Sequence, residues 1–317
     1  MGEGKVGLSS LKGRHFVDAL DLSQAEYDLL FSLAEDIMES PQDYSHCCSG
    51  KLLATLFYEP STRTRLSFEA AMLRLGGRVI TVADASTSSV AKGESLADTI
   101  RTVAGYADLI VLRHPKEGAA RLAAMYSSVP LINGGDGARE HPTQTLTDLF
   151  TIKRCKGRLE GLTVAFCGDL RYGRTVHSLI RALALRKDIR FILISPAELR
   201  LPRMIVEEIL ETNPGLELVE TEDLEVGLSE ADVLYMTRIQ KERFFNEEDY
   251  IRLRDSYVLT RRKLEGAKKD LLVMHPLPRV TEITHDVDDD PRAVYFHQAR
   301  NGMFVRMALI ASLLGVV

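Results

Sequence analysis

Short aliphatic and β-branched runs alternate along the chain with stretches in which apolar residues recur every three or four positions. The first pattern predicts buried strands and the second amphipathic helices. In the first half, strands are expected at Leu52–Tyr58, Arg78–Val82, Leu109–Leu112 and Val129–Ile132, each followed by a polar or glycine-containing turn. Leu66, Ala70 and Leu73 mark one intervening helix, and Leu96, Ile100 and Val103 another, each set falling on one helix face. A helical run from Pro142 to about Cys155 precedes a restart of the pattern, with strands at Leu162–Cys167, Ile189–Ile194, Val233–Met236 and Leu271–Met274. A last apolar helix runs from about Pro291 to Leu314. The fold class that follows is α/β: two domains, each with a mainly parallel sheet flanked by helices, joined by two long helices. The expected division is residues 1–152 plus 292–317 for the first domain and 153–291 for the second.

Composition narrows the function. A chain of 317 residues can bury two cores, and its net charge of -5 gives no general basic footprint for nucleic acid or an acidic membrane. Arg261-Arg262-Lys263 and Lys268-Lys269 are short clusters that read as solvated helix faces. Cys47, Cys48, Cys155 and Cys167 include no Cys-x-x-Cys and no histidine at zinc spacing, so neither a metal site nor a disulfide framework is expected, and the compartment reads as reducing. The N-terminus lacks the regions of a signal peptide, and the apolar run Met307 to Val317 is shorter than the ~20 residues of a membrane span. A cytoplasmic protein is expected, or an organellar one if a targeting segment has been removed.

The chemistry gathers at the expected strand ends. The stretch "EPSTRTRLSFE" (59–69) sets Ser61, Thr62, Arg63, Thr64 and Arg65 at the start of a helix, where hydroxyls and free backbone N–H groups suit a phosphate. Arg63 and Arg65 add charge-assisted donors. For this stretch alone, simple helix capping with both arginines in water is the alternative. Similar chemistry recurs, however: Arg113-His114-Pro115 follows one strand, and a glycine-rich turn leads to His141 and Gln144 at another helix start. In the second half Arg174, Arg238-Ile239-Gln240 and His275-Pro276-Leu277-Pro278-Arg279 follow strands. The first set offers donors for a phosphate, with His141 able to hydrogen-bond a carbonyl oxygen. The arginines of the second set suit a ligand with two carboxylates. Two parallel sheets facing one another would place these groups around a shared cleft. Neither a Gly-x-x-x-x-Gly-Lys-[Ser/Thr] loop nor a Gly-x-Gly-x-x-Gly fingerprint is present, so neither ATP nor NAD is supported and no cofactor is expected.

At these residues the chain resembles the transcarbamoylase superfamily, and within it the catalytic chains or domains of the aspartate transcarbamoylase branch. The likeness runs nearly end to end through "FYEPSTRTRLSFEAAMLRLGG", "KGESLADTIRT", "HPTQTLTDLFTI", "GDLRYGRTVHSL", "MTRIQKERF", "MHPLPR" and "YFHQARNGMFVRMAL". "STRTR" and "HPTQ" belong to the whole superfamily, whereas "TRIQKER" and "HPLPR" separate the aspartate branch from the ornithine branch. The latter usually has a cysteine where Leu277 stands here. "TRIQKERF", "DDDPRAVYF" and "NGMFVRMAL" resemble eukaryotic versions more than the bacterial regulated type.

The resemblance implies a carbamoyl-phosphate-binding first domain and an aspartate-binding second domain. Ser61, Thr62, Arg63 and Thr64 would bind the phosphate, and Arg113 both phosphate and carbonyl oxygen. His141 would polarise the carbonyl, while Gln144 and the backbone carbonyls of Pro276 and Leu277 would hold the amino group. Arg174, Arg238 and Gln240 would bind L-aspartate. Ser88 and Lys92 would reach the site of a neighbouring subunit, implying a homotrimer with shared sites, and Lys92 would add positive charge for aspartate and catalysis. Arg63, Thr64, Lys92, Arg113 and His141 form the implied catalytic set, and no metal is called for. The implied reaction, an early step of de novo pyrimidine synthesis, is carbamoyl transfer to L-aspartate. Binding two polyanions across two domains is expected to draw the domains together, with a moving loop at 238–243. A larger pyrimidine-synthesis assembly is a further implied partner. The alternatives are an ornithine or other transcarbamoylase, or a catalytically silent scaffolding member. Departures from the family pattern are Gly135 in place of alanine, Arg139 two residues before His141, and His297 in place of arginine or glutamine.

Overall fold

Leu52–Phe57 (β1) is almost wholly apolar, and its burial on both faces is what a strand inside a parallel sheet requires. The computed structural model describes residues 7–84, 92–137, 139–239, 247–253 and 257–317. In it β1 pairs in parallel with Arg78–Val82 (β2) on one side and Leu109–His114 (β3) on the other. Leu131–Asp136 (β4) then extends the sheet beyond β3, giving the order β2-β1-β3-β4. The second sheet is also parallel. Thr163–Cys167 (β5), Arg190–Ile194 (β6), Glu217–Thr221 (β7), Val233–Met236 (β8) and Leu272–Met274 (β9) stand in the order β7-β6-β5-β8-β9.

The chain divides into two compact units, Met1–Thr147 with Arg300–Val317, and Asp148–Ala299. Two helices contribute to both: Pro142–Lys156 (α5) and Tyr295–Leu314 (α10). Gln24–Glu39 (α1) opens on a capping box, in which Ser23 accepts from the Glu26 N–H and Glu26 accepts from the Ser23 N–H. Such a cap contributes about 1 kcal/mol. Leu96–Ala104 (α3) and Ala119–Tyr126 (α4) lay Ile100, Ala120 and Ala123 against the first sheet with Ala54, Ile110 and Leu112. Arg174–Ala184 (α6), Arg203–Thr212 (α7), Leu224–Glu230 (α8) and Glu247–Leu253 (α9) complete the second unit. Among the described residues, no helix is long and apolar enough to cross a membrane.

Three expectations are corrected in detail. The periodic set Leu66, Ala70 and Leu73 does share one face of Thr62–Arg74 (α2), but it is the outer face: Leu66 is 52% and Leu73 59% exposed. Thr64, Phe68, Ala71 and Met72 point inward instead. Arg113 and His114 lie within β3 rather than after it. Likewise "NGGD" (133–136) is strand, not turn: Asn133 pairs with Leu112 and Asp136 with His114, and glycine suits the close approach, since a Cβ at Gly134 would stand 3.3 Å from Val111 Cγ1. The second sheet gains the edge strand β7, whose mixed exposed and half-buried residues give no apolar run to read.

Candidate active site

In each unit the predicted site residues lie at or after the C-terminal ends of neighbouring strands, the usual ligand-facing edge of an open parallel sheet. In the first unit the central element is the β1 to α2 connection. Ser61 is the N-cap of α2, yet its hydroxyl makes no capping hydrogen bond. Ser61, Thr62, Tyr58, Arg65 and Asp84 line a concavity of ≈ 260 Å³. Thr62 and Arg63 are exposed, whereas Thr64 is buried, with its Oγ1 3.5 Å from Nε2 of buried His141. Arg65 reaches forward along the helix to within 3.7 Å of Glu69. Glu69 in turn accepts hydrogen bonds from Thr55 (3.1 Å) and Thr81 (2.9 Å), tying α2 to β1 and β2.

Arg113, paired in register with Phe57, carries a buried guanidinium at the end of β3. It donates to the Gly134 carbonyl (3.0 Å) and lies 2.8 Å from Glu59. Next to it His114 is a structural group: its Nδ1 accepts from the Lys116 N–H at 3.0 Å, its ring meets Tyr58 edge-on, and burial pushes its pKa down.

The route from β4 to His141 is held by buried polar groups. Asn133 donates to Asp136 (3.2 Å) and accepts from the Gly135 N–H (2.8 Å), while Asp136 accepts from the Gly118 N–H (2.9 Å). Burial raises the Asp136 pKa in spite of these bonds. Gly135 has φ +121, a conformation that L side chains rarely adopt and that favours glycine. A backbone hydrogen bond from Asp136 to Glu140 then turns the chain so that His141 immediately precedes Pro142, the first residue of α5. Arg139 faces Asp18, 3.8 Å away. Gln144 is half-buried one turn beyond His141.

In the second unit, Gly168 (φ +117) follows β5 where a Cβ would collide with the Thr237 carbonyl oxygen at 2.3 Å. The Asp169 N–H donates to Thr237 Oγ1 (3.0 Å), and Asp169 accepts from the Tyr172 N–H (2.9 Å), shaping the loop that ends at Arg174, the first residue of α6. Arg238 follows β8 and is half-buried. Pro276 and Leu277, both half-buried, follow β9; His297 is exposed on α10. The adjacency β5-β8-β9 therefore puts Arg174, Arg238 and the 276–277 backbone after three neighbouring strands. Lys92 is exposed ahead of α3, and Ser88, Gln240 and the loop at 240–243 lie outside the described residues.

Two supporting residues escaped the sequence reading. Glu59 is printed in the "EPSTRTR" stretch, but only the β1-β3 register shows that it reaches Arg113. Arg306, far off in sequence, donates to Ser67 Oγ (2.9 Å) and Thr143 Oγ1 (3.4 Å), and its guanidinium sits 5.1 Å from the Phe68 ring centre. It thus braces the second turn of α2 against the first turn of α5. Among the described residues, no group of three or more His, Cys, Asp or Glu is placed to hold a metal ion.

This pairing of parallel-sheet units with phosphate-type and arginine-bearing strand ends is matched by two family models. The carbamoyl-P binding domain of aspartate/ornithine carbamoyltransferase covers residues 14–154, and the Asp/Orn binding domain covers residues 160–313. The chain belongs to the aspartate/ornithine carbamoyltransferase family. Its relatives include the aspartate carbamoyltransferase catalytic subunit of Clostridium botulinum, 60% identical over 306 residues that span 96% of this chain and 99% of the relative. That of Clostridium perfringens is 61% identical over 305 residues, again 96% of this chain and 99% of the relative. Among solved structures, the catalytic subunit of M. jannaschii aspartate transcarbamoylase is 51% identical with TM-score 0.89, covering 95% of this chain and 98% of the other. Trypanosoma cruzi aspartate transcarbamoylase in complex with N-(phosphonacetyl)-L-aspartic acid is 40% identical with TM-score 0.92, covering 96% and 97%. The expected eukaryotic leaning thus meets higher identity to clostridial chains than to the trypanosomal one.

Proposed function

We propose that this chain transfers the carbamoyl group of carbamoyl phosphate to the α-amine of L-aspartate, giving N-carbamoyl-L-aspartate and phosphate. The observation that carries the reading is the meeting of two helix starts and one strand end. Thr64 and His141, 3.5 Å apart, stand at the N-termini of α2 and α5, and buried Arg113 ends the strand that pairs with β1. Helix N-termini and a guanidinium favour the oxygens of a phosphate, and a neutral imidazole N–H can polarise a carbonyl beside it. Relatives bear the same reading: the T. cruzi enzyme has been solved with carbamoyl phosphate and with carbamoyl aspartate and phosphate.

In the proposed reaction the neutral amine of L-aspartate attacks the carbonyl carbon to give a tetrahedral oxyanion. The bond to the phosphate oxygen then breaks, and the departing phosphate takes the proton released by the amine. Arg63, Thr64, Arg113 and His141 would stabilise the oxyanion and the leaving phosphate; removing one such donor typically costs about 3–4 kcal/mol of barrier. Ser61 and Thr62 would complete the phosphate site, and Gln144 with the Pro276 and Leu277 carbonyls would hold the carbamoyl amino group. Arg174, Arg238 and Gln240 would hold the two carboxylates of aspartate. Those arginines disfavour a cationic amine such as ornithine, because burying like charges together is costly.

The proposed assembly is a homotrimer in which Ser88 and Lys92 complete a neighbour's site, and the exposed apolar face of Leu66 and Leu73 is suited to a subunit contact. The setting is the cytoplasm, with no membrane or nucleic acid involved. A colorimetric assay for N-carbamoyl-L-aspartate tests the function: product is expected with L-aspartate and none with L-ornithine. Mixing His141→Ala chains with Lys92→Ala chains tests the shared site, since only exchanged trimers would regain activity.

A further inference from the structure

His275, the first residue after β9, is 1% exposed and has no role in the reading above beyond preceding Pro276. Its ring is bonded at both nitrogens. Nδ1 accepts the Leu277 N–H at 2.8 Å, so that nitrogen carries no proton, and the neutral ring must bear its hydrogen on Nε2. Nε2 lies 2.7 Å from Glu282 Oε1, to which it donates. Glu282 is buried as well, and its other oxygen accepts the N–H groups of Val280 and Thr281, both at 3.0 Å. The backbone of His275 is fixed independently: its N–H donates to Gln298 Oε1 (3.0 Å), and Gln298 donates to Asp148 (2.6 Å), which also accepts from Tyr235 (2.8 Å).

The bond at Nδ1 has a geometric consequence. The Leu277 N–H and the Pro276 carbonyl belong to one peptide plane, and in a trans peptide they point in opposite directions. The only cis bond found in the described chain is the next one, Leu277–Pro278. Holding the Leu277 N–H against the buried ring therefore turns the Pro276 carbonyl away from it.

We infer that His275 is a positioning residue, whose unprotonated Nδ1 pins the Leu277 amide and so fixes the direction of the Pro276 carbonyl, the group to which the carbamoyl-transfer reading gives the carbamoyl amino group. Glu282 fixes the tautomer that leaves Nδ1 free to accept. This inference rests on the carbamoyl-transfer reading and adds to it a residue that touches neither substrate.

Two isosteric replacements in the intact assembled protein separate positioning from packing. In His275→Asn the side-chain amide oxygen can occupy the place of Nδ1 and keep the Leu277 bond while losing Glu282. In His275→Gln the amide can reach the place of Nε2 and keep Glu282 while losing the Leu277 bond. The expected result is that His275→Gln raises the KM for carbamoyl phosphate by about tenfold or more, with the KM for aspartate changed less than about threefold. His275→Asn should stay within about threefold of the unmodified chain in both constants. Equal losses in the two variants, or losses in both substrates that merely follow the fall in melting temperature, would overturn the inference. A second measurement needs no variant: ¹⁵N histidine spectra of the unmodified protein should show an unprotonated Nδ1, and a proton on that nitrogen would equally overturn it. If the unmodified chain forms no N-carbamoyl-L-aspartate, the carbamoyl-transfer reading falls and the positioning role with it. An active chain whose variants behave alike removes only the positioning role.

Discussion

Arg113 Nη2 lies 2.8 Å from Glu59 Oε2, so the guanidinium proposed to meet phosphate and carbonyl oxygen is already aimed by a carboxylate from the next strand end. The two side chains differ in exposure, 8% for Arg113 and 26% for Glu59. Arg113→Ala removes the buried donor and leaves behind a carboxylate that water can reach. Turnover should therefore fall by about 10²–10³ while folding stability changes by less than about 1 kcal/mol. Steady-state rates beside thermal unfolding check this; a large loss of stability with near-normal turnover would mean that the pair serves the fold alone.

The two arginines of "STRTR" should separate in the same way. Arg63 is exposed at the start of α2, and Arg65 lies 3.7 Å from Glu69 while also lining the concavity beside Ser61. Arg63→Ala is expected to abolish measurable turnover, by about a hundredfold or more, with no loss of stability. Arg65→Ala is expected to lower stability by about 1 kcal/mol or less and leave turnover within about tenfold. Kinetics and melting of both variants decide it. The opposite split would assign the phosphate contact to Arg65.

What the sequence made legible follows from how locally each feature is determined. The strands β1 and β8 are short apolar runs, and their bounds come within a residue of the expected ones because burial on both faces leaves a continuous signal; the edge strand β2 is exposed to half-buried and is legible from its β-branched residues Val79, Ile80, Thr81 and Val82 instead. The helix α5 is likewise readable from Pro142 onward. By contrast, the face of α2 was unreadable: Leu66, Ala70 and Leu73 have helical spacing, but so do the buried Thr64, Phe68, Ala71 and Met72. Only packing against the sheet selects the second set. Positions at strand ends could be listed from sequence, yet the contacts of Glu59 with Arg113 and of Arg306 with Ser67 and Thr143 depend on register and on the return of α10. No spacing along the chain encodes those.

Acid stability offers a test in the second unit. Asp288 accepts hydrogen bonds from Arg279, one of them 2.5 Å long, and from Tyr295. The Arg279 hydrogen bond is the main reason that the Asp288 pKa falls from 3.8 to about 2, against a smaller opposing effect of burial. A carboxylate with a depressed folded pKa contributes stability that is complete above its unfolded value and is lost as pH falls toward the folded one. Asp288→Asn should therefore unfold at lower urea concentration near neutral pH, by roughly 1 kcal/mol, and the gap to the unmodified chain should shrink as the pH drops from about 4 toward about 3. A gap that stays constant over that range would show that the loss comes from packing and not from charge.

Gly168 makes the sharpest demand on a single position, because two independent constraints meet there. Its φ of +117 disfavours any side chain, and a Cβ would stand 2.3 Å from the Thr237 carbonyl oxygen and 2.7 Å from Thr237 Oγ1. That hydroxyl cannot simply retreat, since it accepts the Asp169 N–H (3.0 Å) and donates to the Cys167 carbonyl (3.1 Å). Gly168→Ala must therefore push the end of β8, where Arg238 follows, or open the turn that leads to Arg174. The cost should be about 3 kcal/mol in stability, and the KM for aspartate should rise severalfold more than the KM for carbamoyl phosphate. Gly161→Ala is the control: it has φ +63 but nothing within 4 Å of its Cβ, so only the conformational cost of about 1 kcal/mol applies. Urea unfolding and both Michaelis constants check the pair. If Gly168→Ala weakened the two substrates equally, the β5 and β8 strand ends would not constitute the aspartate half-site.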